Sequence, residues 1–291
     1  MSAAVKEKQE TVTQRRHVTV RPVGLGRTIR SEWIKVWTLR STIWIIVVTI
    51  AAMVGLSVLM AVGMTFDPGA AADPQGGDPQ GVSVEVGEPM SLSSMGLAAV
   101  TFGYFVGQIV VVVLGVMVAT GEYATGQIRA TLAAVPTRTP VLLAKIVTVT
   151  MVAFGLGALA VSLAWLATYP ILEPEGMLLD LSDEGAWRTV LGVPLYLAAI
   201  ALFSLGIGFL LRHTAGAISA VLGILLVLPM LAAIPLEWLR DILVYLPGSA
   251  GERLIMNPDD VLTEWQGFAV LGGYVAVVLV LAAIVLRRRD A

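Results

Sequence analysis

Residues 89–121 read PMSLSSMGLAAVTFGYFVGQIVVVVLGVMVATG, 33 consecutive positions without an Asp, Glu, Lys or Arg. A helix of roughly 20 residues crosses a hydrocarbon layer about 30 Å thick. A charged side chain at the centre of such a helix costs about 2.5–3.5 kcal/mol. A charge-free window of this length therefore marks a membrane crossing. The same mark recurs over residues 41–66, 146–172, 189–211, 213–236 and 265–286. Ala, Leu, Val and Gly dominate these windows, and no strand-period alternation runs through them, which disfavours a β-barrel. The expected fold class is all-α integral membrane. Its six transmembrane helices are placed at about 42–64, 94–120, 141–168, 189–211, 214–235 and 266–286.

The rest of the composition agrees. Of 291 residues, 57% are hydrophobic and only 14% charged, with a mean hydropathy of +0.83. These values lie outside the soluble globular range. Cysteine is absent, so neither a disulfide nor a thiolate metal site can form.

Charge distribution sets the orientation. Nine Lys and Arg precede the first window: Lys6, Lys8, Arg15, Arg16, Arg21, Arg27, Arg30, Lys35 and Arg40. Arg129, Arg138 and Lys145 follow the second, Arg212 follows the fourth, and Arg287, Arg288 and Arg289 end the chain. That leaves only Arg188, Arg240 and Arg253 for the other side, where 16 of the 21 acids fall. The positive-inside rule places both termini in the cytoplasm, and the localisation expected is a plasma membrane crossed several times.

Residues 1–22 are polar and unpatterned and are read as a disordered cytoplasmic tail; about 40 hydrophilic residues precede the first apolar run, so no cleavable signal peptide is expected. Over 23–41, Leu25, Ile29, Trp33, Val36 and Trp37 recur at helical spacing among basic residues. This pattern predicts an amphipathic helix in the membrane interface. The transmembrane domain occupies 42–286, and 287–291 form a basic cytoplasmic tail. Between the fifth and sixth windows, 235–265 is apolar yet broken by Pro235, Pro247, Gly248 and Pro258. A re-entrant or interfacial outer hairpin is expected there.

Catalytic sets are missing. No G-x-x-x-x-G-K-[ST] phosphate loop occurs, no H-E-x-x-H, and no paired carboxylates inside the windows. The chain is read as having no catalytic residues, no metal site and no cofactor of its own. Gln108 is the strongest polar side chain inside a window, with Thr101, Tyr104, Ser162, Ser204 and Thr120 weaker. Helix–helix hydrogen bonding is their ordinary role. Phe102, Tyr104, Phe105 and Gln108 are also candidates for lining a pathway. With no ionisable group in any window, the reading is that energy enters from outside the chain.

The entry point is sought in residues 121–145, GEYATGQIRATLAAVPTRTPVLLAK. Thr125 is read as capping a short helix that Pro136 stops, with Ala124, Ile128, Leu132 and Val135 as its apolar stripe. Thr139 and Pro140 then restart a helix.

This stretch resembles the segment after the second helix in ABC-2 type permeases, the membrane subunits of ATP-driven transporters, especially actinobacterial ones. Gly121, Glu122, Tyr123, Gly126, Ile128, Arg129, Leu132, Pro136 and Arg138 carry the resemblance. RSEWIKVWTLRST at 30–42 is similar to that family's entry helix, and VYLPGSAGERL at 244–254 to its loop between helices five and six. The resemblance implies a permease that dimerises with a second copy or a paralogue and pairs with a separate ATP-binding subunit holding ATP and Mg. It implies that the interface helix, with Arg30, Glu32, Trp33, Lys35 and Trp37, meets that subunit. The segment after the second helix would be the cytoplasmic coupling helix, Glu122 anchoring its start and Arg129 lying on its docking surface. It implies efflux of a hydrophobic or amphipathic cargo and no nucleic-acid partner. The competing expectation is a non-transporting membrane sensor that docks a cytoplasmic partner.

Overall fold

A computed structural model describes residues 24–38, 40–66, 92–127, 139–177, 184–256 and 261–288. The expected coupling-helix residues Ile128, Arg129 and Leu132 lie outside the described residues, as do the tails 1–22 and 289–291. Every described element is helical. Helix α1 is Leu25–Thr38 and α2 is Arg40–Phe66; α3, Leu92–Thr101, and α4, Tyr104–Ala124, form one broken rod. Helix α5 is Thr139–Leu172 and α6 is Glu184–Leu211. Helix α7, Thr214–Leu222, runs into a π-helical turn, Gly223–Val227, and a 3-10 turn, Pro229–Ala233. Two short helices follow, α8 at Glu237–Leu243 and α9 at Pro247–Glu252, before α10 at Glu264–Arg288.

Six of these rods are long and apolar enough to cross a membrane: Thr42–Thr65, Ser94–Ala124, Thr139–Leu172, Ala186–Leu211, Thr214–Ala233 and Glu264–Arg288. The chain is a multi-pass membrane protein. The spans TM1 to TM6 are numbered in that order.

TM4 is the hub. Its apolar window is 67% buried inside the protein, against 17% for TM5. Small residues explain why neighbours can come so close. A Cβ on Gly115 of TM2 would collide with the Ala201 carbonyl of TM4, and one on Gly157 of TM3 would stand 2.8 Å from Pro194. Gly206 gives the same close approach to Val278 of TM6, at 2.5 Å. Without water to drive helices together, backbone proximity and dispersion contacts hold such a bundle.

TM2 breaks at Phe102 and Gly103 because TM1 crosses there. A Cβ on Gly103 would overlap the Met53 carbonyl. Ser57 of TM1 repairs the break, its Oγ donating to the Val100 carbonyl at 2.9 Å and accepting from the Gly103 N–H at 3.2 Å. Backbone polar groups at this depth need such partners, because lipid offers none.

Two short helices, α8 and α9, lie between TM5 and TM6, where the sequence predicts a re-entrant or interfacial hairpin. Helix α9 is packed into the bundle: Gly248 lies against Leu225 of the π-helical turn, Gly251 against Tyr196 and Leu271, and Gly267 against the Ala250 carbonyl. Tyr196 lies ten residues inside TM4, about 15 Å from its end at Ala186. Arg188, at that same end, pairs with Glu264 at the start of TM6, at 3.2 Å.

Candidate functional site

Helix α1 presents two faces. Thr28 and Glu32, one turn apart, are buried against the bundle, whereas Leu25, Trp33, Ile34 and Trp37 are exposed. Trp33 and Trp37 pair with ring centroids 5.9 Å apart. Arg30 is also exposed. The polar side of α1 therefore faces protein, and its aromatic side faces outward.

Glu32 is buried because it meets two lysines. The Lys145 ammonium, near the start of TM3, donates to Glu32 Oε2 at 3.0 Å, Glu122 Oε1 at 2.9 Å and the Val118 carbonyl at 3.1 Å. Those three bonds use every proton the ammonium has. Lys35 closes the cluster, donating to Glu32 Oε1 at 2.6 Å and Glu122 Oε1 at 2.8 Å. The Lys145 side chain is 2% exposed, Glu32 5% and Glu122 8%, while Lys35 is 44% exposed. Two carboxylates and two ammoniums balance formally. Isolated charges at these depths would be prohibitive, so each residue is tolerable only with the others present. Burial alone would lower the Lys35 pKa, but hydrogen bonds to Glu122 and Glu32 outweigh it and hold the group above the usual lysine value.

The charge-free windows hold no Asp, Glu, Lys or Arg, but the helices that form around two of them do. The windows drawn between charges stopped one residue short of Glu122 and began one residue after Lys145, yet the spans Ser94–Ala124 and Thr139–Leu172 contain both. The cluster links α1, the end of TM2 and the start of TM3.

The other side of the TM2 end meets the TM4–TM5 turn. Arg212 has φ +53°, a left-handed backbone that lets TM4 end and TM5 begin within two residues. Its guanidinium stands 5.0 Å from the Tyr123 ring centroid, and that ring meets Phe209 edge-on. Thr214 Oγ1 lies 2.8 Å from Thr120 Oγ1. His213 caps TM5, its Nδ1 accepting from the Gly216 N–H at 3.0 Å.

Beyond Tyr123 the helix ends differently from the sequence reading. Thr125 does not open a helix. It closes α4, with its Oγ1 donating back to the Gly121 carbonyl at 3.0 Å and its backbone in helical rather than extended conformation. Gly126 then turns the chain at φ +72°, the left-handed conformation that glycine adopts at little cost. Gly121 has open space where a Cβ would go.

The four candidate lining residues separate. Tyr104 and Gln108 are fully buried, while Phe105 is exposed and Phe102 partly so. Tyr104 stacks on Phe105 at 4.4 Å and meets Tyr196 edge-on at 5.8 Å. Tyr196 Oη lies 2.8 Å from Gln108 Oε1 and 3.3 Å from Glu252 Oε1. No known family model matches this sequence, and no curated protein matches it either. Tyr196, Glu252, Lys145 and Arg212 escaped notice as site residues. For Lys145 a signal was present: a lone lysine directly abutting a 27-residue apolar window.

Proposed function

We propose that this chain is the membrane-spanning subunit of an ATP-driven exporter of the ABC-2 permease type. It moves a hydrophobic or amphipathic cargo outward with energy from a separate ATP-binding subunit. The observation that carries this reading is the buried cluster of Glu32, Lys35, Glu122 and Lys145. A device that receives force on the cytoplasmic side must pass it to the spans without slack. The cluster ties the interface helix to the end of TM2 and the start of TM3, flanking the connection on which the motif residues lie. The cation–π contact of Arg212 on Tyr123 brings TM4 and TM5 to the same point.

In this reading the connection containing Ile128, Arg129 and Leu132 is the coupling helix, and α1 is the interface helix beside it. Closure of two ATP-binding subunits on ATP pushes both, and two permease copies, or one with a paralogue, enclose the pathway. The experiment is copurification of the partner and reconstitution with the ATP-binding subunit so recovered. The paired substitution Ile128→Asp and Leu132→Asp should abolish permease-stimulated ATP hydrolysis while leaving insertion intact. Undiminished stimulation would defeat the assignment of that connection. Isolation of a signalling protein in place of an ATPase would favour the sensor reading.

A further inference from the structure

The contacts of Tyr196 contain a conflict of donors. Its hydroxyl has one proton, yet it lies within bonding distance of two acceptors, Gln108 Oε1 at 2.8 Å and Glu252 Oε1 at 3.3 Å. The shorter contact takes the tyrosine proton. Glu252 then bonds to Tyr196 only by donating, which requires a protonated carboxyl. In the opposite arrangement the Gln108 amide is reversed, its Nε2 donates to Tyr196, and Tyr196 donates to an ionised Glu252. Gln108 Nε2, buried on a residue 1% exposed, has no partner in the observed arrangement. The trio thus has two bonding polarities, chosen by one proton.

We infer that Glu252 is a proton-binding site that latches the hairpin helix α9 onto TM2 and TM4, closed when its carboxyl is protonated and released when it ionises. Geometry supplies the lever. Helix α9 packs against TM4 at Tyr196, TM5 at Leu225, and TM6 at Gly267 and Leu271, and Leu254 just after it packs against Gly192 of TM4, almost wholly through apolar and backbone contacts. An ionised carboxylate in that seat has one hydrogen-bond donor and little water, so ionisation favours an undocked, hydrated hairpin.

Other charges nearby are occupied. Arg253, next to Glu252, donates to the Leu262 carbonyl at 3.2 Å. On TM4 and TM6, Arg188 and Glu264 pair with each other. On TM2, Tyr104 is the titratable neighbour, while Glu237, Arg240 and Asp241 of α8 are exposed. Glu252 itself is only partly exposed. Burial pushes its carboxyl from 4.5 up to about 7, against the lowering effect of the Tyr196 hydrogen bond. The sign follows from linkage. The docked form holds the proton more tightly, so docking is strongest below the ordinary carboxylate value and weakens as pH rises to about 7.

Hydrogen exchange of the full chain in nanodiscs, corrected for intrinsic rates, reads the latch through the amides of residues 246–256. Wild type should lose protection by at most about tenfold per pH unit as pH rises through that window. Glu252→Gln, which keeps the shape and cannot ionise, should stay protected at every pH. Tyr196→Phe should move the midpoint upward, because the donor serving the ionised form is gone; a merely structural tyrosine would leave the midpoint in place. A pH-independent wild type, or a Glu252→Gln profile that tracks wild type, would overturn the latch. No ATP-binding subunit takes part, so this outcome is separate from that of the proposed function.

Discussion

Lys145 and Lys35 touch the same two carboxylates but differ in what their loss exposes. Lys145 is buried and fully bonded, so Lys145→Met leaves Glu32 and Glu122 buried with one partner between them. Removing one member of a buried ionic set costs about 3–5 kcal/mol. Lys35→Met removes a half-exposed ammonium, and water screens much of the change; roughly 1 kcal/mol is expected. Thermal unfolding in detergent micelles should rank the variants in that order, and adding Glu122→Gln to Lys145→Met should recover part of the loss. Equal losses would show that the cluster is not the buried unit described. Because the pKa of Lys35 is raised, its contribution is complete below the ordinary lysine value and fades only above it. Lys35 therefore stays charged through neutrality. The sequence did not reveal this cluster because its members stand 113, 87 and 23 residues apart. Windows defined by the absence of charge also push charged residues to the margins by construction. The cost of burying a charge is legible in one segment; its repayment by a distant partner is not.

The six elements themselves were legible for the complementary reason. A helix in lipid satisfies its own backbone, so length and apolarity in one segment suffice to specify it. The windows at 41–66, 146–172 and 189–211 became TM1, TM3 and TM4, with ends shifted by at most three residues except for the start of TM3, which extends seven residues back to Thr139. What a single segment could not reveal was the break in TM2, since Gly103 is forced by the approach of Met53 and not by its own neighbours. Nor could it reveal the π-helical turn in TM5, which lies against the hairpin. Ser57 is the residue on which the TM2 break depends. Ser57→Ala would strand the Val100 carbonyl and the Gly103 N–H in a fully buried position. Each buried group left unpaired costs about 1–3 kcal/mol. The variant should melt clearly below wild type and lose exchange protection at the Gly103 amide. If instead TM2 straightened and protection rose, the break would be a matter of choice for TM2 alone and not a product of TM1 packing.

At the scale of the whole molecule, the faces of TM1, TM5 and TM6 turned away from TM4 are apolar and exposed, and Trp44, Leu59, Met230 and Val280 stand on them. Lipid covers such faces as readily as protein does, so their exposure alone selects no partner. Orientation rests on charge instead. In the sequence, the segments before TM1, between TM2 and TM3, between TM4 and TM5 and after TM6 hold 16 of the 19 basic residues, and the three other connections hold 16 of the 21 acids. Insertion machinery tends to retain Lys and Arg on the cytoplasmic side, so a 16-to-3 bias predicts cytoplasmic termini, an expectation that labelling tests. The chain has no cysteine, so single cysteines report cleanly on this arrangement. Gly76→Cys, between TM1 and TM2, should react with a membrane-impermeant maleimide on intact cells. Thr137→Cys, between TM2 and TM3, should react only after permeabilisation. The reverse pattern would place the ion cluster outside and the Glu252 hairpin inside. The proposed docking of an ATP-binding subunit would then fail on topology alone, while the proton latch would keep its chemistry and face the cytoplasm.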